Sequence, residues 1–523
     1  MSRKLPIGIQ GFEKLRTENF LYVDKTDYIY RLVHNNVPYF LSRPRRFGKS
    51  LLLSAMKAYW EGKRDLFAGL QIEKLEQDNP DAWKAYPVFY FDFNGKNYQY
   101  ETALETVLDE QLCEWESIYG GDGSRSLEER FRRLLMTASE KYGKRCVILV
   151  DEYDKPLLEV MQNTLLEEHN KAVFKGFFGT LKSCDEYIQF VMITGVTKFS
   201  KVSIFSDLNQ LNDISLSPAY SGICGITQEE LIRSFSPEID DLAVAQNLSR
   251  DESLAALKKT YDGYHFHPSG EGVYNPFSLL KALYDREMNA YWYATGTPTF
   301  LVESIKENGF DVRKFTDRTL YADASSLTDY HADNPDLIPL LYQTGYLTIL
   351  DYDARRKRYT LGFPNDEVKY GFLQSLVPAF TPASVGGTGA DIFSLDDCIE
   401  SEDLDGVKDI LKALFASIPY DTKERPFEHY FQTVIYLVFT LLGKYAQCEV
   451  HSSHGRADCI VSTGNAVFIF EFKVDHSADE ALKQIDDRGY AEPYQADRRK
   501  IYKVGVSFDS ETRNIEEWKV LEY

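Results

Sequence analysis

The sequence has no paired cysteines of the C-x-x-C kind. Its seven cysteines, Cys113, Cys146, Cys184, Cys224, Cys398, Cys448 and Cys459, are scattered and odd in number. That excludes an evident zinc ribbon or disulfide scaffold and suits a reducing compartment. It also has no long apolar run. The longest, around Val434–Leu442, falls well short of the ~20 residues that a membrane-spanning helix needs. The opening MSRKLPIGIQGFEKL lacks the apolar core of a signal peptide. A cytoplasmic location with no membrane partner is expected. Positive charge is scarce as well: Lys and Arg total 59 against 80 Asp and Glu, a formal charge of −21. A non-specific nucleic-acid coat is thereby excluded, but a confined basic groove on an acidic body is not. Internal repeats and long low-complexity tracts are missing too.

What remains is an ordinary globular composition, 44% hydrophobic and 27% charged over 523 residues, enough for three or four domains. The charge is segregated. Residues 1–64 hold 13 Lys or Arg against 5 Asp or Glu. The stretch 381–390, TPASVGGTGA, is small, flexible and almost uncharged, and reads as a linker. PYFLS (38–42), PVFYFDF (87–93), CVILV (146–150) and IQFVMIT (188–194) are strand candidates. Continuous apolar strands separated by helical patterns predict an α/β fold with a parallel sheet covered on both faces. Residues 224–310 read as mostly helical. A helical stretch followed by YLTILDYD, the basic turn ARRKR and YTLGFP predicts a winged-helix-like segment, serving as a regulatory hinge or as a DNA reader. The resulting division is 1–223, 224–380 and 381–523.

The strongest N-terminal signal is Ser42-Arg-Pro-Arg-Arg-Phe-Gly-Lys-Ser50, lying between a strand and the helical LLLSAMKAYW. Strand, loop, GKS and helix form the context of a phosphate-binding loop. Arg46, Phe47, Gly48, Lys49 and Ser50 are therefore the expected nucleotide-binding stretch. Gly48 lets the backbone approach a phosphate, Lys49 supplies charge, and Ser50 can ligate Mg²⁺. Arg43 stands where the general pattern has its first glycine; Arg43, Arg45 and Arg46 are candidates for phosphate or inter-subunit charges, or for pairing with the acidic body. CVILVDEYD delivers Asp151 and Glu152 at the end of a buried strand, where ligands sit in an open parallel sheet. Asp151 is placed for the Mg²⁺ shell and Glu152 to polarise an attacking water. Thr194 is the preferred γ-phosphate sensor and Thr197 the second, with a plain strand-end turn as the alternative.

At the other end, GRADCIV (455–461) and AVFIFEFK (466–473) flank STGN and read as a hairpin. Pairing Val461 with Ala466 sets Asp458 opposite Ile469 and makes Glu471 its diagonal neighbour, at a Cα separation of roughly 7–8 Å. Lys473 shares that face. Two carboxylates and a lysine converging there are costly if buried and unpaired; a divalent cation, Mg²⁺ by its preference for oxygen, resolves the repulsion. The metal would activate a water for phosphodiester cleavage. Tyr490 and the run Arg498-Arg499-Lys500 are candidates to touch a phosphate backbone. His429, His451 and His454 lack helical ligand spacing and read as surface or core residues. Residues 424–523 hold 12 Lys or Arg against 17 Asp or Glu, so this part is itself acidic.

The stretches LPIGIQGFEKLR, RPRRFGKS, LVDEYDKPL, ITGVTKFSKVSIFSDLNQLNDIS, YDGYHF and YNPFSLL resemble the AAA-ATPase-like family of bacterial proteins, usually fused to a C-terminal PD-(D/E)XK nuclease-superfamily domain. The resemblance covers almost the whole chain. It implies an additional-strand P-loop ATPase, a helical and winged-helix segment, and a restriction-endonuclease-like domain. That family carries RPRRFGKS itself, so Arg43 does not depart from its relatives. Asp458, Glu471 and Lys473 match the D…E-x-K core. By the same resemblance Glu428, with Glu424 as the weaker alternative, contributes a helix carboxylate to the metal site. A capping box at Ser477–Glu480 opens a helix whose Gln484 matches a glutamine of one branch of the superfamily.

The expected function is ATP binding, with hydrolysis, coupled to Mg²⁺-dependent cleavage of nucleic acid, DNA in the first instance, in defence or mobile-element biology. The alternative is a nucleotide-switched signalling or scaffold ATPase whose acidic C-terminal domain binds nucleic acid or protein without cutting. A homo-oligomer is expected only by analogy with related ATPases.

Overall fold

The structure, a computed structural model, describes residues 4–523 except 36, 122, 162, 200–210, 294–298, 309, 316–318, 329–336, 381–387, 417–426, 444–446, 451–457 and 497; the side chains of 299–300, 307, 388–391, 427–430 and 447–450 are also outside the description. The chain divides into two compact units, Met1–Trp292 with Tyr321–Asn365, and Tyr293–Leu320 with Asp366–Tyr523.

The first unit is built on five parallel strands: β1 (Tyr39–Ser42), β2 (Val88–Asp92), β3 (Cys146–Asp151), β4 (Ile188–Gly195) and β5 (Asn212–Asp213), in the order β2-β3-β4-β1-β5. All six residues of β3 are buried, as expected of a central strand covered on both faces. β4 is inserted between β1 and β3, the additional-strand arrangement that the family resemblance implies. Parallel strands end on one edge, so Ser42 lies beside Gly195 and Asp92 beside Asp151. Helices Lys49–Trp60, Ala103–Tyr119, Leu127–Tyr142 and Thr164–Ser183 accompany the sheet. Leu127–Tyr142 starts where the Ser126 side chain accepts the Glu129 N–H, and it buries Phe131, Leu134, Leu135 and Ala138, one face at helical spacing. Phe131 stacks on Phe177 at 4.8 Å and meets Phe91 of β2 edge-on at 5.3 Å. Each such phenylalanine stabilises the fold by roughly 1.5–3 kcal/mol.

After the sheet the chain is mostly helical. Gln228–Ser234 and Arg250–Tyr261 each open with a capping box, Thr227–Glu230 and Ser249–Glu252. With Ser236–Ala245 and Pro276–Asp285 they enclose a core of Leu231, Ile239, Leu242, Leu257, Tyr261 and Leu279. Strands β6 (Ile226–Thr227) and β7 (Val273–Tyr274) pair antiparallel beside it. A further sheet has the order β8-β10-β9, from β8 (Leu320–Ala322), β9 (Thr348–Asp353) and β10 (Arg358–Gly362). Helices Ala324–Thr328 and Ile338–Gln343 lie between β8 and β9. β9 and β10 form the hairpin that the sequence predicts in this segment.

The second unit holds five strands in sequence order: β11 (Gln447–Val450), β12 (Cys459–Ser462), β13 (Ala466–Val474), β14 (Lys500–Asp509) and β15 (Asn514–Glu522). Only β13 and β14 are parallel. Helix Ala478–Asp487 is the crossover that parallel pairing requires. Its Leu482 and Ile485 pack with Val467, Ile469 and Ile501. Of the expected linker, 381–387 lie outside the described residues, while Thr388 opens a helix that runs to Glu400. Among the described residues no helix is long and apolar enough to cross a membrane.

The hairpin register differs from the sequence reading. Ser462 pairs with Val467 and Cys459 with Phe470. The Thr463 N–H donates to the Ala466 carbonyl at 2.9 Å and the Thr463 hydroxyl accepts the Ala466 N–H at 3.1 Å. Only Gly464 and Asn465 remain in the turn, a two-residue connection rather than four. The shift is by two positions, so each residue keeps its face. Asp458 now comes opposite Glu471 instead of diagonal to it.

Two candidate sites, one in each unit

The loop after β1 carries the first site. Gly48 has φ +93°, a left-handed conformation in which a side chain would be strained. Helix Lys49–Trp60 follows with no side-chain cap, so its first-turn N–H groups face the loop, an anion-binding arrangement. The buried Lys49 ammonium donates to the Arg43 and Pro44 carbonyls at 2.8 and 3.0 Å, closing the loop on itself. A cavity of about 460 Å³ opens here. Its wall combines Arg45–Ser50 with Ile9 and Gln10 near the N-terminus, Glu152 and Asp154 after β3, and Phe277 and Leu280 from helix Pro276–Asp285. The Arg46 guanidinium lies 5.0 Å over the Phe277 ring.

Arg43 is not a phosphate or inter-subunit charge. It is 1% exposed. Its guanidinium donates to the carbonyls of Ser42, Ser215 and Tyr220 at 2.8, 2.8 and 3.0 Å and lies 3.9 Å over the Phe266 ring. Burial lowers its basicity. Arg43 ties the start of the loop to the segment after β5.

At the ends of β3 and β4, Thr194 and Asp151 are both buried, and the Thr194 hydroxyl donates to Asp151 Oδ1 at 2.8 Å. Glu152 lines the cavity in a left-handed conformation, φ +51°. Burial raises its carboxyl above the ordinary range, against the pull of Lys49.

Two residues that sequence reasoning missed hold this end together. Asp154 accepts the Val196 N–H at 2.9 Å and the Thr197 N–H at 2.6 Å, and burial lifts its carboxyl to about 6. The Tyr153 hydroxyl donates to the Thr197 carbonyl at 2.9 Å and accepts the Phe199 N–H at 3.1 Å. A Cβ on Gly195 would stand 2.6 Å from Asp154 Oδ1, so only glycine fits there. Thus DEYD and TGVTKF are one interlocked structure. The available signal was the second aspartate, three residues beyond Asp151.

The second site lies on β12, β13 and helix Ala478–Asp487. Asp458 Oδ2 accepts the Phe472 N–H at 3.0 Å, and the Asp458 N–H lies 3.4 Å from Glu471 Oε2. Glu471, 1% exposed, accepts at Oε1 from Lys473 Nζ at 2.9 Å and from Gln484 Nε2. Burial, then the neighbouring Asp458, pushes Glu471 up to about 7, with Lys473 opposing. Burial raises Asp458 as well, against the Phe472 N–H and Lys473. Asp458, Glu471, Lys473 and Gln484 are therefore brought together. Glu428 lies on helix Phe427–Leu442, but its side chain is outside the described residues, as are Glu424, His451, His454 and the His429 side chain.

Tyr490 is not available to a phosphate backbone: it is buried in the cluster of Val467, Ile469 and Ile485. Arg499 donates to the Thr463 carbonyl at 2.8 Å, and the exposed Lys500 pairs with Glu402 at 2.7 Å.

Among the described residues no group of three or more His, Cys, Asp or Glu side chains stands close enough to hold a metal ion. The pair Asp458 and Glu471 offers only oxygen donors, and burial together with the neighbouring Asp458 raises Glu471. That chemistry fits a hard cation that keeps several of its own waters.

Comparison with known proteins finds a family match in each unit. A family model described as "Predicted AAA-ATPase" matches residues 6–205. A second, "PD-(D/E)XK nuclease superfamily", matches residues 426–518. A protein of Azotobacter chroococcum mcd 1, named "Uncharacterized protein in vnfD 5'region", is 37% identical over 531 residues, covering 98% of each chain. The phosphate loop beside an inserted strand, and the D…E-x-K face beside its crossover helix, thus sit inside matched regions, and the chain belongs to the AAA-ATPase-like family that carries a C-terminal PD-(D/E)XK nuclease-superfamily domain.

Proposed function

We propose that the chain binds and hydrolyses ATP at the phosphate loop and cleaves nucleic acid, DNA in the first instance, at the Asp458–Glu471–Lys473 face. The observation carrying the second half is the convergence of half-buried Asp458, Lys473 and Gln484 on the buried Glu471 carboxylate. An isolated structural hairpin gains nothing from burying one carboxylate beside another that repels it.

In the ATP site, Gly48 and Lys49 cradle the phosphates with the N–H groups of the following helix, flanked by Arg46 and Phe47. Ser50 and Asp151 supply oxygen donors for Mg²⁺. Glu152 orients and polarises the attacking water, its raised basicity suiting a proton acceptor. Thr194, bonded to Asp151, senses the γ-phosphate. The apolar part of the cavity, with Ile9, Phe277 and Leu280, suits a nucleobase.

In the nuclease site, Asp458 and Glu471, with Glu428 as a third carboxylate, would hold Mg²⁺, which when bound supplies a nucleophile of lowered pKa and stabilises negative charge on the phosphate. Lys473 holds Glu471 and offsets charge at the scissile phosphate. Gln484 fixes the orientation of the Glu471 carboxylate. ATP state gates cutting, in a defence or mobile-element setting.

Two variants separate binding from hydrolysis at the first site. Lys49→Ala loses ATP, whereas Glu152→Gln retains it without turning it over. A Glu152→Gln protein hydrolysing ATP at the wild-type rate removes that carboxylate from the mechanism. At the second site, Asp458→Ala abolishes metal-dependent cutting while ATP binding persists; undiminished cutting by that variant refutes the assignment.

A further inference from the structure

Hairpin β9–β10 ends in a basic tip that neither site uses. Residues 351–358, DYDARRKR, hold Arg355, Arg356, Lys357 and Arg358 against Asp351 and Asp353, in a chain of net charge −21. Asp353 is spent within the turn. It accepts the Arg355 and Arg356 N–H groups at 3.0 and 3.1 Å and pairs with the Arg356 guanidinium at 3.4 Å, and the backbone bonds hold its carboxyl below the ordinary range. Lys357 closes the turn with φ +51°. Arg355, Arg356 and Lys357 are exposed.

Aromatic rings stand at the base of this tip. Tyr352 and Tyr359 face each other across the hairpin at 4.6 Å. Arg358 lies 3.8 Å over the ring of Tyr321, which is 42% exposed. Cations beside tyrosine rings on an open surface suit phosphates and stacked bases together. Helix Ile338–Gln343 is buried: Gln343 accepts the Lys198 N–H at 2.9 Å and donates to the Leu327 carbonyl at 2.7 Å. A buried helix cannot enter a nucleic-acid groove, whereas the basic hairpin tip is open to one. Thr348, where β9 begins, accepts the His265 N–H at 2.7 Å, which gives the hairpin a fixed root.

We infer that the tip Arg355–Lys357, with Arg358 and Tyr321, docks the phosphate backbone of a nucleic acid. This deepens the nuclease reading by naming a contact for its substrate, and rests on that reading for the choice of a nucleic acid over other polyanions.

The test uses the full-length protein in chelator, so that binding is read without cutting. The probes are short fluorescein-labelled double-stranded DNA, single-stranded DNA and RNA, titrated over a range of salt, with phosphatidylserine vesicles as a separate arm. Replacing three phosphate-contacting cations in R355A/R356A/K357A should weaken duplex binding about tenfold or more and lower the slope of log affinity against log salt by about 2.7. The charge-keeping R355K/R356K variant should bind within a few-fold of wild type. Equal affinity and slope in the triple variant overturn the proposal, as does wild-type protein that binds none of the probes. Triple-variant loss confined to anionic phosphatidylserine vesicles also overturns it, in favour of a membrane surface. The two readings fail separately: a wild type that cuts while the triple variant binds normally removes only the hairpin, and binding lost in the triple variant of a protein that never cuts removes only the nuclease.

Discussion

Replacing Arg43 with methionine keeps most of the side chain's length and its packing on Phe266, but removes every N–H that it donates. Three carbonyls, of Ser42, Ser215 and Tyr220, then lose donors at 2.8, 2.8 and 3.0 Å. A hydrogen bond from a charged donor contributes about 1.5–3 kcal/mol. The low end applies here, because the buried guanidinium has also given up its water, as its lowered basicity records. Three bonds at that end sum to about 4.5 kcal/mol, a large share of a domain's stability. The assay is urea unfolding of the protein, followed through the tryptophans of the first unit, Trp60, Trp83, Trp115 and Trp292, paired with ATP titration under native conditions. Arg43→Met should lower the unfolding midpoint markedly and leave ATP affinity within a few-fold of wild type. An unchanged midpoint with ATP affinity lost would refute the reasoning, since the guanidinium would then be serving a phosphate.

Other expectations follow from the same geometry. Asp154 rises from an ordinary 3.8 to about 6 on folding, so the folded state holds a proton that the unfolded chain has released; its contribution is complete below pH about 4 and is lost as pH climbs through about 6, by about 3 kcal/mol in all. The stability difference between wild type and Asp154→Asn should fall by that amount across the window; a difference flat with pH removes the buried acid from the account. In Asp154→Ala, amide hydrogen exchange at Val196 and Thr197 should quicken about tenfold or more, as two buried donors lose their acceptor, and unchanged exchange would deny Asp154 its hold on the loop. Glu471→Gln should cut nothing, yet in chelator at pH 8 it should stabilise the second unit by up to about 3 kcal/mol, because the carboxylate, pushed up to about 7 by burial and then by Asp458, no longer has to ionise there. A destabilised Glu471→Gln protein, read by thermal unfolding, would contradict that balance.

Much of the sheet was legible because β1 to β4 are buried enough to read as continuous apolar runs. Strand β5 was not: Asn212–Asp213 is two polar residues at an edge, with no pattern to find. The placement of Asp151, Glu152, Asp458, Glu471 and Lys473 was legible because each set is local along one strand or one hairpin. The grip of Asp154 on Val196 spans 42 residues, and such pairing leaves no local trace. The hairpin register was misread because the Thr463 hydroxyl takes the Ala466 N–H and shortens the turn. Tyr490 reads as a surface residue among charges, yet it folds back on Ile485, whose carbonyl accepts its N–H at 3.1 Å, and joins the core. Arg43 shows the same limit from the other side, since one arginine among three in the loop turns inward and nothing in the spacing says which.

The most direct measurement is a Mg²⁺-dependent digest of single-stranded DNA, double-stranded DNA and RNA by the purified full-length protein, with and without ATP, beside the variant D458A/E471A/K473A. Wild type should cut at least one of these substrates, chelator should stop it, ATP should change the rate, and the triple variant should bind ATP but leave every substrate whole. Cutting by the triple variant, or a wild type that cuts nothing under any of these conditions, would contradict the account.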